Sequence, residues 1–511
     1  MKNEQSRTNK AIINVATAIA SNIIIGLLTI VTSRVIKDKL GLDILGINGV
    51  FTNILTILSL SEMGIGSAIS FALYKPLANG DTELIRALMN FYKKAYRVVA
   101  LVVGILGLLI LPFTVYFVAT DNYSVTFVRV AFLLFLANSV FSYLLVYKRT
   151  IIIADQKNYI VSGFTLAYNL VLKTAQLLAV IICSNYLVYL AVAIVCTVVN
   201  NWLISLCADR MYPYIKDKTP CKMPEEERRQ VITKVKALFL HSIGSVVIYG
   251  TDNILISFFS GVEDAGRYTS YATIITMVGT FLATVFENLK DSVGNYLVGT
   301  RKEEKERLFN TLFFAGQSFV LIATLCMAIL LPPFMVIWLG KDISLNNTIL
   351  FALLLSFVLA KGNMTIGIFK NSAGLFEQDR FVPLVESAIN LGVSILLAMK
   401  IGILGVVMGT IISTALGPFW VQPCIVYKEV FGKKVWTYFA AYLKYVIAFF
   451  ADLAVVYLVT CKWMNFGTTI LGFILQAIVT GILAVGIWCL IFVRNENFLF
   501  YVRLVKEKLH V

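Results

Sequence analysis

Histidine is nearly missing from this sequence: His241 and His510 are the two in 511 residues. With no Cys/His spacing that resembles a ligand set, a zinc-type metal site is not expected. No G-x-x-x-x-G-K-[ST] stretch occurs, so the chain does not hydrolyse ATP through a phosphate-binding loop. Charge is scarce as well. Asp, Glu, Lys and Arg make up 14% of the chain against 59% hydrophobic residues, and the mean hydropathy is +0.82, far from the balance of a water-soluble globular protein. The eight cysteines lie mostly in apolar runs and read as small hydrophobes, not as a disulfide framework.

What is present is apolar length. A spanning helix needs about 20 apolar residues, and the gaps between runs leave fourteen candidate spans. Numbered 1 to 14, they fall near 11–33, 44–74, 98–118, 125–147, 159–183, 186–208, 238–259, 266–298, 308–339, 343–369, 381–399, 401–427, 438–460 and 463–493. Barrel strands alternate apolar and polar over about ten residues, so these runs exclude a β-barrel. The first run, preceded by Lys2, Arg7 and Lys10, is too long for the core of a separate signal peptide.

Basic residues test the count, because Lys and Arg favour the cytoplasmic side of short loops. With the N-terminus inside, the inner segments hold 32 basic residues and the outer segments seven, with five left inside spans. Fourteen spans with both termini cytoplasmic are therefore expected. The net charge of +15 follows from this asymmetry as attraction to anionic lipid headgroups, without nucleic acid. No outer connector exceeds about ten residues, which leaves little room for an extracytoplasmic catalytic domain; the chain is not expected to be an enzyme.

An internal repeat appears at an offset of 220 residues. Gly41 and Gly46 fall on Gly261 and Gly266, Leu88 and Asn90 on Leu308 and Asn310, and Pro112 on Pro332. With a shift of two more, Lys148 and Gln156 meet Lys370 and Gln378. Six spans separate equivalent positions, so the copies share one orientation and are related by an axis along the membrane normal. The fold class expected is all-α and integral to the membrane: a six-helix bundle over 1–208, a connector over 209–236, a second bundle over 237–427, and two additional helices within 438–493. The connector stretch PEEERRQVITKVK predicts a short surface helix with Pro224 at its first position and a Glu225–Arg229 pair. The stretch DTELIRALMNFYKKAY predicts an amphipathic helix along the headgroup surface, capped by Asp81 or Thr82.

Charges inside spans are costly, about 2.5–3.5 kcal/mol each on insertion scales, and usually face a bundle interior or a water-filled path. Glu62, Lys173, Asp252 and Lys361 sit deepest by count. Lys173 and Lys361 either snorkel or pair within the bundle, or line a path. Asp252 is either an interhelical hydrogen-bonding residue or exposed to a lumen. Glu287, Lys290 and Asp291 form a helical-spacing cluster that reads as an intrahelical salt bridge. Arg34 ends span 1 as a headgroup anchor or a ligand contact.

Three features carry a family resemblance: Arg34 closing the first span, the Leu40-Gly41 to Gly46 turn into the second, and the run Ser-Glu-Met-Gly-Ile-Gly-Ser-Ala over 61–68. Together they resemble the Wzx-like polysaccharide flippases, in the MOP superfamily that also holds MATE multidrug exporters and lipid II flippases. The resemblance implies a bacterial cytoplasmic-membrane protein that exports an undecaprenyl-diphosphate-linked oligosaccharide by alternating access, for capsule, O-antigen or exopolysaccharide synthesis. It implies a V-shaped cavity between halves, lined mainly by spans 1, 2, 7 and 8, whose cationic lumen receives sugar and diphosphate. Membrane lipids, a glycan polymerase and glycosyltransferases are the partners it implies, with no cofactor. Glu62 and Asp252 depart from a purely cationic lumen. On this reading Arg34, Lys173 and Lys361 contact the headgroup, with the Arg34 donor fork suited to a diphosphate. Lys148 and Lys370 form a symmetric entrance, and Glu62 and Asp252 bind a coupling ion or pair with the basic residues in a hydrated cleft. The alternatives are a cation-coupled multidrug exporter and a membrane polysaccharide polymerase or ligase.

Overall fold

Lipid offers no hydrogen bonds, so a spanning backbone must satisfy its own, and in a helix every interior group does. The computed structural model describes residues 2–62, 65–118, 122–217, 223–287, 289–464, 466, 467 and 469–509; in some stretches, among them 2–20 and most of 237–249, it describes the backbone only. Among the described residues every regular element is helical. Ten helical stretches among the described residues are long and apolar enough to cross a membrane, and Leu42–Leu58 is a shorter apolar helix. The chain is a multi-pass, all-helical membrane protein. Met63 and Gly64 of the 61–68 run, the side chains of Glu287 and Asp291 in the expected salt-bridge cluster, and the His241 side chain lie outside the described residues.

Span ends follow the sequence reading closely in many places, as in Tyr186–Met211 for span 6 and Ile470–Ile491 for span 14. Two expected surface helices are instead parts of spans. Asp81 does cap, accepting from the Leu84 N–H at 3.0 Å, but the helix it starts runs unbroken from Thr82 to Ile110, so the amphipathic stretch is the first half of span 3. The connector helix likewise runs through Glu225–Gly250 into span 7, with Pro224 as its N-cap; Glu225 pairs with Arg228 at 3.4 Å, not with Arg229. In both cases no proline stands between polar start and apolar end to stop the helix.

The chain forms two compact units, Ser21–Thr269 and Met1–Ala20 with Ser270–Val511. In the first, the repeat becomes geometry. Gly41 (φ 92°, ψ 167°) and Gly261 (φ 95°, ψ 161°) make the same positive-φ turn into spans 2 and 8, a conformation that disfavours any side chain. Five residues on, Gly46 and Gly266 bring the two helix starts into backbone contact. A Cβ at Gly46 would stand 2.0 Å from the Val262 carbonyl oxygen, and one at Gly266 would stand 2.8 Å from the Leu42 carbonyl oxygen. Leu42 and Val262 are themselves equivalent at the offset of 220, so the contact is reciprocal. Phe51 anchors the same helix edge-on to Phe132 and Phe135, at 5.3 and 5.6 Å.

The second unit is built around aromatic rings. Phe309 stacks on Phe313 at 5.4 Å and meets Phe369 edge-on at 5.2 Å, while Tyr438 and Tyr445 of span 13 close over Phe313. Span 14 joins through the Trp488 indole N–H, which donates to Ser318 Oγ at 2.9 Å. The outward faces of spans 13 and 14 carry exposed Leu443, Ile447 and Phe450, and Ile474, Ile478 and Ile482, at the spacing of one helix face suited to lipid.

Gly46→Ala forces a methyl into backbone and is expected to cost about 1–3 kcal/mol. Gly163→Ala, in a helix with nothing within 4 Å of the new atom, is expected to be neutral or to stabilise by roughly 0.5–1 kcal/mol. Thermal unfolding of both variants in detergent micelles compares them; equal midpoints would mean that the contact is not tight.

Candidate functional site

Both acidic residues singled out by the sequence sit where a span is interrupted. Helix Leu42–Leu58 gives way to a 3-10 turn, Ser59–Glu62, and the half-buried Glu62 at its end accepts a hydrogen bond from the Tyr96 hydroxyl at 2.8 Å. Tyr96 packs edge-on against Tyr92 at 4.6 Å and lies 6.2 Å from Tyr143, and Thr150 Oγ1 donates to the Tyr92 oxygen at 3.0 Å. The carboxylate thus heads a chain of hydroxyls from spans 3 and 4 and the helix Tyr147–Ala154.

Span 7 breaks at Gly250, and Asp252 opens the next helix, Asp252–Ser260. It is buried. Its Oδ2 accepts from the Tyr268 hydroxyl at 2.6 Å, while Oδ1 has no hydrogen-bond partner among the described residues. The neighbouring Asn253 donates through Nδ2 to Asn53 Oδ1 at 2.7 Å and accepts from Thr269 Oγ1 at 2.8 Å, tying spans 2, 7 and 8 together. Sequence reasoning missed Tyr96, Tyr268, Asn53 and Asn253. Tyr268 was within reach: counted from the Gly261 turn, it and Asp252 lie at nearly equal distance along an antiparallel hairpin, hence at similar depth.

The basic residues divide by what they already hold. Arg34 pairs through Nε with Asp38 at 2.6 Å, its side chain 42% exposed. Half-buried Lys173 has no hydrogen bond or ion pair among the described residues. Lys148 pairs with Asp209 at 2.7 Å and donates to Ser205 Oγ at 2.8 Å. In the second unit, Lys361 lays its stem over Gly279, where an added Cβ would stand 2.9 Å from Lys361 Cε. Lys370 is buried and ion-paired with the buried Asp379. The repeat-equivalent lysines therefore each hold an aspartate, but from different places: Asp209 closes span 6, and Asp379 lies between spans 10 and 11.

Just outside the spans, Asp155 gathers Lys157 and the Tyr212 hydroxyl, each at 2.7 Å. Burial by itself would raise the Asp155 carboxyl, but the hydrogen bonds from Lys157 and Tyr212 outweigh it and hold the group below its ordinary value. Burial and then that carboxylate push the Tyr212 phenol up. The result is a fixed clasp between the helix Tyr147–Ala154 and the end of span 6.

No protein-family model matches the sequence, and no curated protein matches it. Solved structures match it in fold. The lipid II flippase MurJ, in an inward closed conformation, superposes with a TM-score of 0.68 at 13% identity, over 93% of this chain and 98% of that one. An inward-facing multidrug resistance MATE family transporter of the MOP superfamily gives 0.61 at 12% identity, over 79% and 97%. A MATE transporter from Vibrio cholerae gives 0.57 at 15%, over 84% and 99%. At these identities the likeness is one of fold, and the fold is that of MOP-superfamily transporters.

Because Lys370 and Asp379 are both buried, removing one charge strands the other. Lys370→Met is expected to destabilise by about 3–5 kcal/mol, and Lys370→Met combined with Asp379→Leu by clearly less. Chemical denaturation of the two variants in micelles checks this; a double variant as unstable as the single one would show that the pair is not the source of the loss.

Proposed function

We propose that the chain is a flippase that moves a polyprenyl-diphosphate-linked oligosaccharide from the inner to the outer leaflet of a bacterial cytoplasmic membrane, by alternating access, for surface polysaccharide assembly. The observation that carries this reading is the extent of the fold likeness. A match over 93% of the chain cannot leave out the whole of spans 13 and 14, whereas matches over 79% and 84% can. Spans 13 and 14 are the part that lies beyond the two six-span repeats.

Physical chemistry supports the same substrate class. A headgroup of sugars and diphosphate is excluded from hydrocarbon, and charge-assisted hydrogen bonds from basic side chains replace its hydration. Arg34 and Lys173 in the first unit and Lys361 in the second are the cations we assign to the diphosphate. Lys148 and Lys370 would reach it only by leaving Asp209 and Asp379. Glu62 and Asp252 serve a coupling ion or the balance of charge, and the apolar outer faces leave the polyprenyl tail in lipid. The basic asymmetry supports a cytoplasmic side for both termini, where glycosyltransferases would deliver the substrate; a glycan polymerase would take the product on the other side.

The test is movement of a fluorescent undecaprenyl-diphosphate oligosaccharide in proteoliposomes. The intact chain is expected to move it, with Arg34→Ala, Lys173→Met and Lys361→Ala each slowing movement roughly tenfold, the equivalent of about 1.4 kcal/mol of lost interaction. If the lipid stays in place while organic cations cross, the multidrug-exporter reading replaces this one. If neither moves but glycan chains lengthen, the protein is a polymerase.

A further inference from the structure

Asp452 lies in the middle of span 13, within helix Trp436–Tyr457, and is fully buried at 0% exposure. Neither of its carboxylate oxygens has a hydrogen-bond partner among the described residues. The same holds for the hydroxyl of Thr480 on span 14, also at 0% exposure. This is unusual for a helical threonine here: Thr460 and Thr324 each donate to the carbonyl four residues earlier at 2.7 Å. Spans 13 and 14 pack as antiparallel neighbours, and counted from the middle of the segment that joins them Asp452 and Thr480 stand at nearly equal sequence distance, so at similar depth. Each lies on its helix's buried stripe, with Ala448 and Val456 beside Asp452, and Gln476 and Ala484 beside Thr480.

Nothing packed against this acid balances an ionised form. Residues 308–339 of span 9 and 463–493 of span 14 contain no Lys, Arg, His, Asp or Glu. Span 9 presents Cys326 within electrostatic reach. Span 14 carries Cys489 near its far end. On its own helix, Tyr445 lies two turns away and Lys444 is exposed. An ionised carboxylate enclosed this way has lost its water and gained no donor, which makes the charged form very costly.

Toward the segment that joins spans 13 and 14, a cavity of about 650 Å³ opens among spans 9, 10, 13 and 14, with Thr460, Gln476 and Asn347 in its lining. Thr460 stands two turns beyond Asp452 on the same stripe, and Gln476 one turn beyond Thr480. Polar side chains therefore continue from the cavity toward the acid.

We propose that Asp452 and Thr480 form a proton-binding site, filled from this cavity by way of Thr460 and Gln476. A hydronium ion in the cavity gives up one proton, leaving water; the carboxylate becomes a neutral acid, whose O–H can be received by the Thr480 hydroxyl once the two side chains, which are not hydrogen-bonded to each other in this structure, turn together. A proton fits better than a metal ion, because among the described residues no group of three or more His, Cys, Asp or Glu side chains converges. The site is separate from the cations assigned to the headgroup and does not depend on what the protein carries.

Infrared difference spectroscopy of the full chain in lipid nanodiscs, in H2O and D2O at neutral pH, tests this. The intact protein is expected to show a deuterium-sensitive band of a protonated carboxyl that is absent in Asp452→Asn and displaced in Thr480→Val. A spectrum in which Asp452→Asn removes an ionised carboxylate band instead overturns the proposal, as does a band that Thr480→Val leaves in place if the Asn variant fails to fold. Asparagine mimics the neutral acid, so Asp452→Asn is expected to melt within a few degrees of the intact protein. Stabilisation of the intact protein by Na+ or Li+, but not of Asp452→Asn, would make the occupant a metal ion and sink the proton assignment. Gln476→Leu is expected to slow deuterium exchange of the band; exchange at the original rate would overturn the route from the cavity.

Discussion

The backbone contact between the starts of spans 2 and 8 fixes much of what surrounds it. Without side chains at Gly46 and Gly266, the two helices meet through their carbonyls at Val262 and Leu42, the close approach that small residues allow in membranes. That approach sets the register of the polar residues further along. Gly49, one turn on, leaves space that Thr269 Oγ1 occupies, where a Cβ would stand 2.4 Å away. Thr269 can then bond Asn253, and Asn253 can reach Asn53. One turn's worth of missing side chains thus holds spans 2, 7 and 8 at hydrogen-bonding distance and brings Tyr268 over Asp252.

Within lipid the same problem, a carboxyl group away from water, is met in four ways. Glu62 takes the Tyr96 phenol and has the Tyr143 phenol beside it. Asp252 takes a phenol on one oxygen and nothing on the other. Glu386, buried in span 11, accepts from Thr414 of span 12 at 3.0 Å. Asp452 takes no partner among the described residues. The fewer the donors, the more of the charge must be met by something the protein does not supply, so the series runs from acids held by structure to the one for which a bound proton is proposed.

The spans and the duplication were legible because each rests on a local necessity. Apolar length is imposed by lipid thickness, and Gly41, Gly46, Gly261 and Gly266 by backbone that admits no side chain, so equivalent positions keep the same residue. The partners of the charges were not legible. Tyr96 meets Glu62 from a different span, and Asp379 meets Lys370 across the turn after span 10; neither relation has a periodic spacing. The unbroken helices through Thr82–Ile110 and Glu225–Gly250 were misjudged because polar composition was read as an end, although polar side chains do not by themselves end a helix. Asp452 and Glu386 drew no notice among long apolar runs, since depth alone does not reveal whether a donor stands opposite.

What each cation already holds decides how it can serve an anionic headgroup. A lysine paired with a buried aspartate, as Lys370 is with Asp379, has its charge compensated, and a diphosphate would have to displace a partner that itself cannot be left alone. Lys148, with Asp209 and Ser205 both in contact, stands in much the same position. Arg34 is different: its pair with Asp38 is solvent-exposed, a kind worth about 0–1 kcal/mol, and its planar fork suits a phosphate. Lys173 has no described partner to give up. The repeat makes Lys148 and Lys370 look like a symmetric pair of ligand contacts, yet their aspartates tie them to the scaffold, and affinity for a phosphate would concentrate on the positions that the symmetry does not mark.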